Sequence, residues 1–381
     1  MVLVDDAIGV RDAAEALRGA DRIAIDTESN SLHVYKERVC FIQIAAKGRV
    51  FLVDTVAVRD LEPLLEPLAD PASLKLLHGA DYDVVCLRRD FGIQMTPLFD
   101  TMISAQMLGY EQLGLAALVE RHFGASLDKS MTRHDWGRRP LEERYVPYLI
   151  DDVIYLEGLH DILSADLDDT DLVEESEIEF ERVSALQWGG SEEADPDRFR
   201  KIKGSRTLNQ TGLSILKEMY MLRDRVSRKA DVPPFRVLGN EQLLAVATRC
   251  PKSRRELRDI RGFTDRVLRR IGDDALQAVI DGTDRKDEVP LRAKPRGERP
   301  PEEQQRVDEG IRSWRREEIN KRNVPSIVIL PNHVVERIAH ARPSTVDALA
   351  EIPGLGKKRL RRYGEKILEI VRDPPPLRRR R

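Results

Sequence analysis

Ile23-Ala24-Ile25-Asp26-Thr27-Glu28 is a short apolar run that ends in acid. The run from Arg22 to Asp26 predicts a strand, and strand side chains repeat their direction every two residues. Asp26 and Glu28 therefore point to one side. Two like charges placed together repel unless a cation lies between them. A single pair of this kind also fits a solvated strand end, so its meaning depends on what the rest of the chain brings to it.

Working outward, Val39 to Ala45, Arg49 to Val53 and Leu74 to Leu77 are rich in β-branched and apolar residues and predict further strands. Helical periodicity covers Val58 to Leu68, Val84 to Arg89, Thr101 to Leu108 and Leu141 to Ile162. A strand meander followed by strands alternating with helices predicts a mixed sheet with helices on its faces, an α/β domain over residues 1–165.

Two later segments supply more acid. In Lys75-Leu-Leu-His-Gly-Ala-Asp-Tyr-Asp83 a strand runs through a small-residue turn into a helix. Asp81 is placed to cap that helix and Asp83 falls in its first turn, where the helix dipole favours a carboxylate. His78 reads as a structural histidine bonded to backbone. In Pro147-Tyr-Leu-Ile-Asp-Asp152, Tyr148 and Asp152 are four apart and share one helix face, while Leu149, Ile150, Val153 and Leu156 face the core. Asp100, Asp135 and Asp151 read as local structural acids.

Residues 166–204 are strongly acidic and predict a connector, helical in part. Beyond it, residues 205–290 and 300–373 predict two small all-α domains that repeat one another at a constant offset of 92 residues. Pro233 matches Pro325, Asn240 matches Asn332, Pro251 matches Pro343, and Gly262 and Gly272 match Gly354 and Gly364. Asn240 and Asn332 are placed to be helix N-caps. Residues 374–381, rich in Pro and Arg, predict a disordered basic tail.

The 381 residues carry a formal charge of −3, which hides a split: residues 1–200 sum to −20 and the remainder to +17. A basic half suits a polyanion, and acid in the other half suits metal ions. Hydrophobic residues at 41% are enough for packed cores, and charged residues at 34% point to extensive polar surface. No apolar run has the length of a bilayer span, and Met1 to Val10 lacks the pattern of a signal peptide, so a cytoplasmic protein with no membrane partner is expected. Cys40, Cys86 and Cys250 are too scattered for zinc or disulfides and read as inert thiols.

The order of these elements is specific: D-x-E on a first strand, H-x-x-x-x-D entering a helix, then Y-x-x-x-D on a later helix. It resembles the DEDD family of 3′→5′ exonucleases in its tyrosine variant. Phe99-Asp-Thr101, Leu127-Asp-Lys-Ser-Met-Thr-Arg-His-Asp-Trp136, Arg139-Pro-Leu141 and Glu143-Arg144 resemble the ribonuclease D family in order and spacing. The repeats resemble the helicase-and-RNase-D C-terminal (HRDC) domain. The resemblance covers nearly the whole chain apart from the connector and tail. It departs at Ser29, where many members carry an aromatic residue near the terminal nucleotide; Leu32, His33 or Tyr35 could take that place.

The resemblance implies an RNase H-like catalytic domain and a metal-dependent 3′→5′ exoribonuclease that trims tRNA precursors and other small structured RNAs to release nucleoside 5′-monophosphates. Asp26, Glu28, Asp83 and Asp152 would hold two divalent ions, Mg²⁺ or Mn²⁺, and Tyr148 would orient the attacking water. Leu32, His33, Trp136 and Arg139 are the expected RNA contacts in the first domain. Lys252, Arg254 and Arg255 are those of the first repeat. In the second, Ile352-Pro-Gly-Leu-Gly-Lys-Lys-Arg359 resembles a helix-hairpin-helix element, with Lys357 and Lys358 at a helix start able to bind phosphate. No protein partner is implied. The alternatives are a DNA exonuclease of the same chemistry and an inactive RNA-binding scaffold; the presence of all four acids argues against the second.

Overall fold

Six strands form one sheet in the computed structural model, which describes residues 1–128, 130–189, 197–291 and 300–377. They are β1 (Val2–Val4), β2 (Arg22–Ser29), β3 (Val39–Ala46), β4 (Arg49–Asp54), β5 (Leu74–Leu77) and β6 (Leu98–Asp100), in spatial order β1-β4-β3-β2-β5-β6. β2, β3 and β4 pair antiparallel as a meander, and β1, β5 and β6 join parallel to their neighbours. Seven of the eight residues of β3 are buried, as a central strand covered on both faces requires. β1 and β6 were not anticipated: at three residues each they are too short to show a period.

Around the sheet lie α1 (Ala7–Leu17), α2 (Glu62–Ala69), α3 (Asp81–Phe91), α4 (Thr101–Met107), α5 (Leu115–Phe123), α6 (Val146–Ile154), α7 (Leu156–Asp169) and α8 (Val173–Ser184). The single helix expected over Leu141 to Ile162 is instead a 3-10 turn at Glu143–Tyr145 followed by α6 and α7, with the break at Tyr155. The helix expected from Val58 begins only at Glu62, because Asp54 first folds the chain into a turn by accepting the N–H groups of Val56 and Ala57.

The acidic connector is less of a spacer than its composition suggested. α7 runs into it, and α8 buries Glu175, Ser176, Glu179, Phe180 and Val183. Residues 190–196 of that segment lie outside the described residues, as do 292–299 between the repeats and 378–381 of the expected disordered tail. The start of that tail is held in place: Arg306 donates to the carbonyls of Pro374 and Pro375.

The repeat is literal. The first copy contains α9 (Gln210–Ala230), α10 (Pro234–Val237), α11 (Asn240–Arg249), α12 (Arg254–Arg258) and α13 (Asp265–Asp284). The second contains α14 (Glu302–Arg322), α15 (Ser326–Ile329), α16 (Asn332–Ala341), α17 (Val346–Ala350) and α18 (Lys357–Arg372), each starting 92 residues after its counterpart. The left-handed helix ends repeat as well, at Asp231 and Asn323 and at Cys250 and Arg342.

Asn240 and Asn332 do not cap their helices. Each is the first helical residue, and its side-chain oxygen accepts from an arginine of the preceding long helix: Arg223 for Asn240 at 2.8 Å, and Arg312 and Arg315 for Asn332 at 2.9 and 2.8 Å. A guanidinium outcompetes the local backbone N–H because a charge-assisted bond is the stronger one.

The chain divides into two compact units. One holds residues 1–29 and 39–188 with the second helical copy; the other holds Asn30–Arg38 with the first copy. In the first unit α18 docks on α8: Lys358 Nζ pairs with Asp171 at 2.8 Å and Glu175 at 3.4 Å, and the N–H of Lys358 donates to Glu174 at 2.9 Å. In the second unit Tyr35 donates from its hydroxyl to Asp224 at 2.6 Å and from its N–H to Asp231 at 3.1 Å. Among the described residues no helix is long and apolar enough to cross a membrane.

Candidate active site

β2 delivers Asp26 and Glu28 to one side of the pleat, and the strand register slips immediately after Glu28. α6, packed across β2 and β3, brings Tyr148 and Asp152 over the same place. Carboxylate oxygens of Asp26, Glu28 and Asp152 all lie within 4.8 Å of one another. Tyr148 lies beside Glu28 and Thr132, and it and Glu28 are close enough for each to influence the other's ionisation.

Asp83 arrives by a different route. β5 runs through Gly79, whose φ of +70° favours glycine, into α3. Asp81 does not cap α3; it is the first helical residue, and the turn is secured by Asp100. One oxygen of Asp100 accepts from Gly79 at 3.0 Å, Met102 at 2.8 Å and Ile103 at 3.1 Å, and the other accepts from Ala80 at 2.8 Å. Asp83, so delivered, accepts from the hydroxyl of Thr27, the residue between the two acids of β2. It stands beside the three-carboxylate cluster rather than inside it.

Burial and mutual repulsion hold these acids well above the ordinary carboxylate range. Glu28 is pushed up to about 9, by burial first and then by Asp152 and Asp83. Asp83 and Asp152 rise to about 7, chiefly through burial. Asp26 moves up through burial and the charges of Asp83, Asp152 and Glu28. The Tyr148 phenol is raised by burial and by Glu28, Asp152 and Asp26. Among the described residues no lysine or arginine pairs with any of the four acids. A dense, unneutralised, all-oxygen donor set fits a hard divalent cation.

His78 bonds a side chain rather than backbone. Its Nδ1 lies 2.9 Å from the Thr101 hydroxyl, which itself donates to the Leu77 carbonyl at 3.1 Å, so Nδ1 carries the proton. Burial lowers the pKa of the ring, which suits a neutral structural histidine. Ser29, at the position where an aromatic residue was expected, accepts from the Tyr82 hydroxyl at 3.0 Å.

The expected RNA contacts separate into two groups. Leu32 is exposed, and His33 meets Arg236 at 3.0 Å. Lys252, Arg254, Arg255 and Lys357 are exposed, with Arg254 paired to Asp273. Trp136, Arg139 and Lys358 are not disposed to meet RNA. Trp136 is 2% exposed, packed among Phe41, His134, Tyr145 and Tyr148. Arg139 is consumed by Asp54 and by the carbonyls of Trp136 and Cys40, with its guanidinium 4.3 Å over the Phe41 ring. Lys358 is 7% exposed, and Glu174 already occupies the helix start where a phosphate was expected. Thr27 was missed, since nothing in a D-T-E triplet shows that its middle residue will touch a distant acid.

Residues 1–168 match the family model for 3′-5′ exonucleases, and residues 212–279 and 304–371 match that for HRDC domains. Ribonuclease D from Gluconacetobacter diazotrophicus is 31% identical over 275 residues, covering 69% of this chain and 67% of that protein. The chain belongs to the ribonuclease D family. The catalytic core of RRP6 from Trypanosoma brucei shares the fold at 28% identity and a TM-score of 0.66, over 74% of this chain and 79% of that one. Escherichia coli RNase D matches at 24% identity and a TM-score of 0.68, over 98% and 99%, and shows the same fold. This ribonuclease D family member is a hydrolytic 3′→5′ exoribonuclease whose substrate is RNA, and exonucleases of this family use divalent metals.

Proposed function

We propose that this exoribonuclease trims extra 3′ nucleotides from tRNA precursors and other small structured RNAs in the cytoplasm, using two divalent ions, Mg²⁺ or Mn²⁺, held by Asp26, Glu28, Asp83 and Asp152. The observation that carries the reading is the convergence of Asp26, Glu28 and Asp152 within 4.8 Å, with Asp83 one hydrogen bond away through Thr27. Carboxylates so close and so buried must take up either protons or cations. When bound, a cation pair would generate the nucleophile from water at neutral pH and stabilise charge on the attacking and leaving oxygens.

The protein's own groups do the positioning. Tyr148, its phenol raised and its proton kept, orients the attacking water by hydrogen bonding through its hydroxyl rather than acting as a base. Glu28, beside Tyr148, keeps that hydroxyl within the carboxylate cluster. Asp100 sets the turn that presents Asp83. Residues 1–165 would form the catalytic domain, and the exposed cations Lys252, Arg254, Arg255 and Lys357 of the repeats would grip phosphates.

The test is digestion of a 3′-extended tRNA precursor with Mg²⁺, Mn²⁺ or chelator, beside a matched DNA strand. Stepwise shortening to the mature 3′ end, abolished by chelator and faster on RNA, is expected. Equal digestion of DNA would favour the alternative DNA exonuclease, and activity in chelator would remove the cation from the mechanism.

A further inference from the structure

Gln43 lies at the centre of β3, directly opposite Asp26 on β2 and Leu52 on β4. Residues paired this way share one face of the sheet, with Cβ atoms about 4.5–5.5 Å apart. The same pairing lines that face with Ala24, Ala45, Phe41 and Val50, all apolar, and with the acids Glu28 and Asp54. Asp54 is already taken by Arg139 and two backbone N–H groups.

Gln43 is 0% exposed, and among the described residues neither its amide oxygen nor its amide nitrogen has a hydrogen-bond partner. Leaving a buried amide group unpaired is costly, because it gives up its hydrogen bonds to water and gains none in return. A methionine or leucine would fill the same space in a central strand without that cost. The acceptor that the register sets beside the Gln43 amide is the carboxylate of Asp26.

We infer that Gln43 is a positioning residue for the cation site: its Nε2–H donates to Asp26 when that carboxylate holds a divalent cation, and so selects the rotamer in which Asp26 would do so. The inference rests on the proposed role of Asp26 as a metal ligand. A ligating carboxylate held by an outer hydrogen bond has one preferred rotamer, and losing such support typically weakens metal binding or activity by about 10–100-fold.

The test uses the full-length chain and Gln43→Met, which keeps length and apolar bulk but removes both polar atoms. Mn²⁺ affinity, read by the paramagnetic signal of free Mn²⁺, should fall about tenfold. Turnover of a short RNA should fall while its KM stays nearly constant, and thermal stability should hold or rise because an unpaired amide is gone. In the wild type, the side-chain amide resonance of Gln43, assigned through bonds, should shift when Mg²⁺ is added. Unchanged Mn²⁺ affinity in a folded Gln43→Met protein would overturn the inference. So would a Gln43 amide that stays still while Mg²⁺ saturates, and this measurement decides the matter even if the variant does not fold. If the wild type binds no Mn²⁺ at all, the cation reading itself fails; if it binds and only the Gln43 effects are missing, that reading stands and this one falls.

Discussion

Glu174 on α8 accepts the backbone N–H of Lys358 at 2.9 Å, and so supplies to α18 the cap that its counterpart α13 takes from its own N-cap residue. In the first copy Thr264 caps α13 by accepting from Val267. In the second copy Gly356 stands at that position with φ +77° and no side chain to offer. A Cβ on Gly356 would come within 2.6 Å of Ile178 and 2.8 Å of Glu174. Glu174→Ala should therefore destabilise this unit by about 1 kcal/mol, the usual worth of a cap. Gly356→Thr should destabilise it further instead of restoring the cap. Thermal melts of the three proteins check this, and a stabilised Gly356→Thr would contradict it.

Arg139→Ala should act on stability and not on RNA affinity. Its guanidinium satisfies Asp54, which is nearly inaccessible, and breaking a fully buried pair costs roughly 3–5 kcal/mol. Because Arg139 keeps partial solvent contact, about 2–3 kcal/mol is expected by denaturant titration. A folded variant with weakened RNA binding would reverse this assignment.

Alanine at Asp26, Glu28, Asp83 or Asp152 should lower turnover at least ~100-fold, more than the loss of outer support to a metal ligand. Circular dichroism should stay native, since removing one of several crowded acids relieves repulsion. Tyr148→Phe should lower turnover by about 10²-fold, the low end for a positioned proton-handling group, with little change in RNA affinity. Single-turnover kinetics separate these two quantities.

The raised acids give a pH dependence with a definite sign. Glu28 near 9 and Asp83 and Asp152 near 7 exceed unfolded values of about 4, so without metal the folded state binds more protons across that window. Stability of the metal-free protein should fall as pH rises from about 4 to 9. Metal binding expels these protons, so the gain in Tm from added Mg²⁺ or Mn²⁺ should be larger at high pH than at low. A metal-induced gain independent of pH would show that these groups are not the ligands.

Full-length protein should lose RNA affinity as salt rises. Replacing Lys252, Arg254 and Arg255 together by alanine should flatten the log–log slope by about 2, from ~0.7 per phosphate contact on a single strand. Filter binding over a range of KCl measures it, and an unchanged slope would direct attention to other cations of the repeats.

The sequence carried the central strands, the two-copy helical half and the acids of β2, α3 and α6, because each rests on a local pattern or on recurrence. Partnerships that depend on three-dimensional competition were illegible. Asn240 and Asn332 look like caps until an arginine a long helix away claims them. Lys357 and Lys358 look alike, yet one is exposed and the other is buried against α8. Trp136 and Arg139 look available because a loop motif cannot show that it folds inward over Phe41. Asp83 was found by spacing, but its attachment through Thr27 joins residues 56 apart and leaves no trace in either segment.

The constant spacing between the two helical copies sets every helix start of one in register with the other. Arg223 bonds Asn240 and the carbonyl of Leu238, and Arg315 bonds Asn332 and the carbonyl of Leu330, so the same latch sits at the same place in both. A latch common to both copies belongs to the module's own folding. Specialisation must lie where the copies part company, as at Val267 and Arg359. The arginine is 1% exposed and donates to the carbonyls of Ile327, Val328 and Gly354 where its twin offers only a valine. Chimeras that exchange one helix at a time would turn this internal repeat into a map of which copy carries which task.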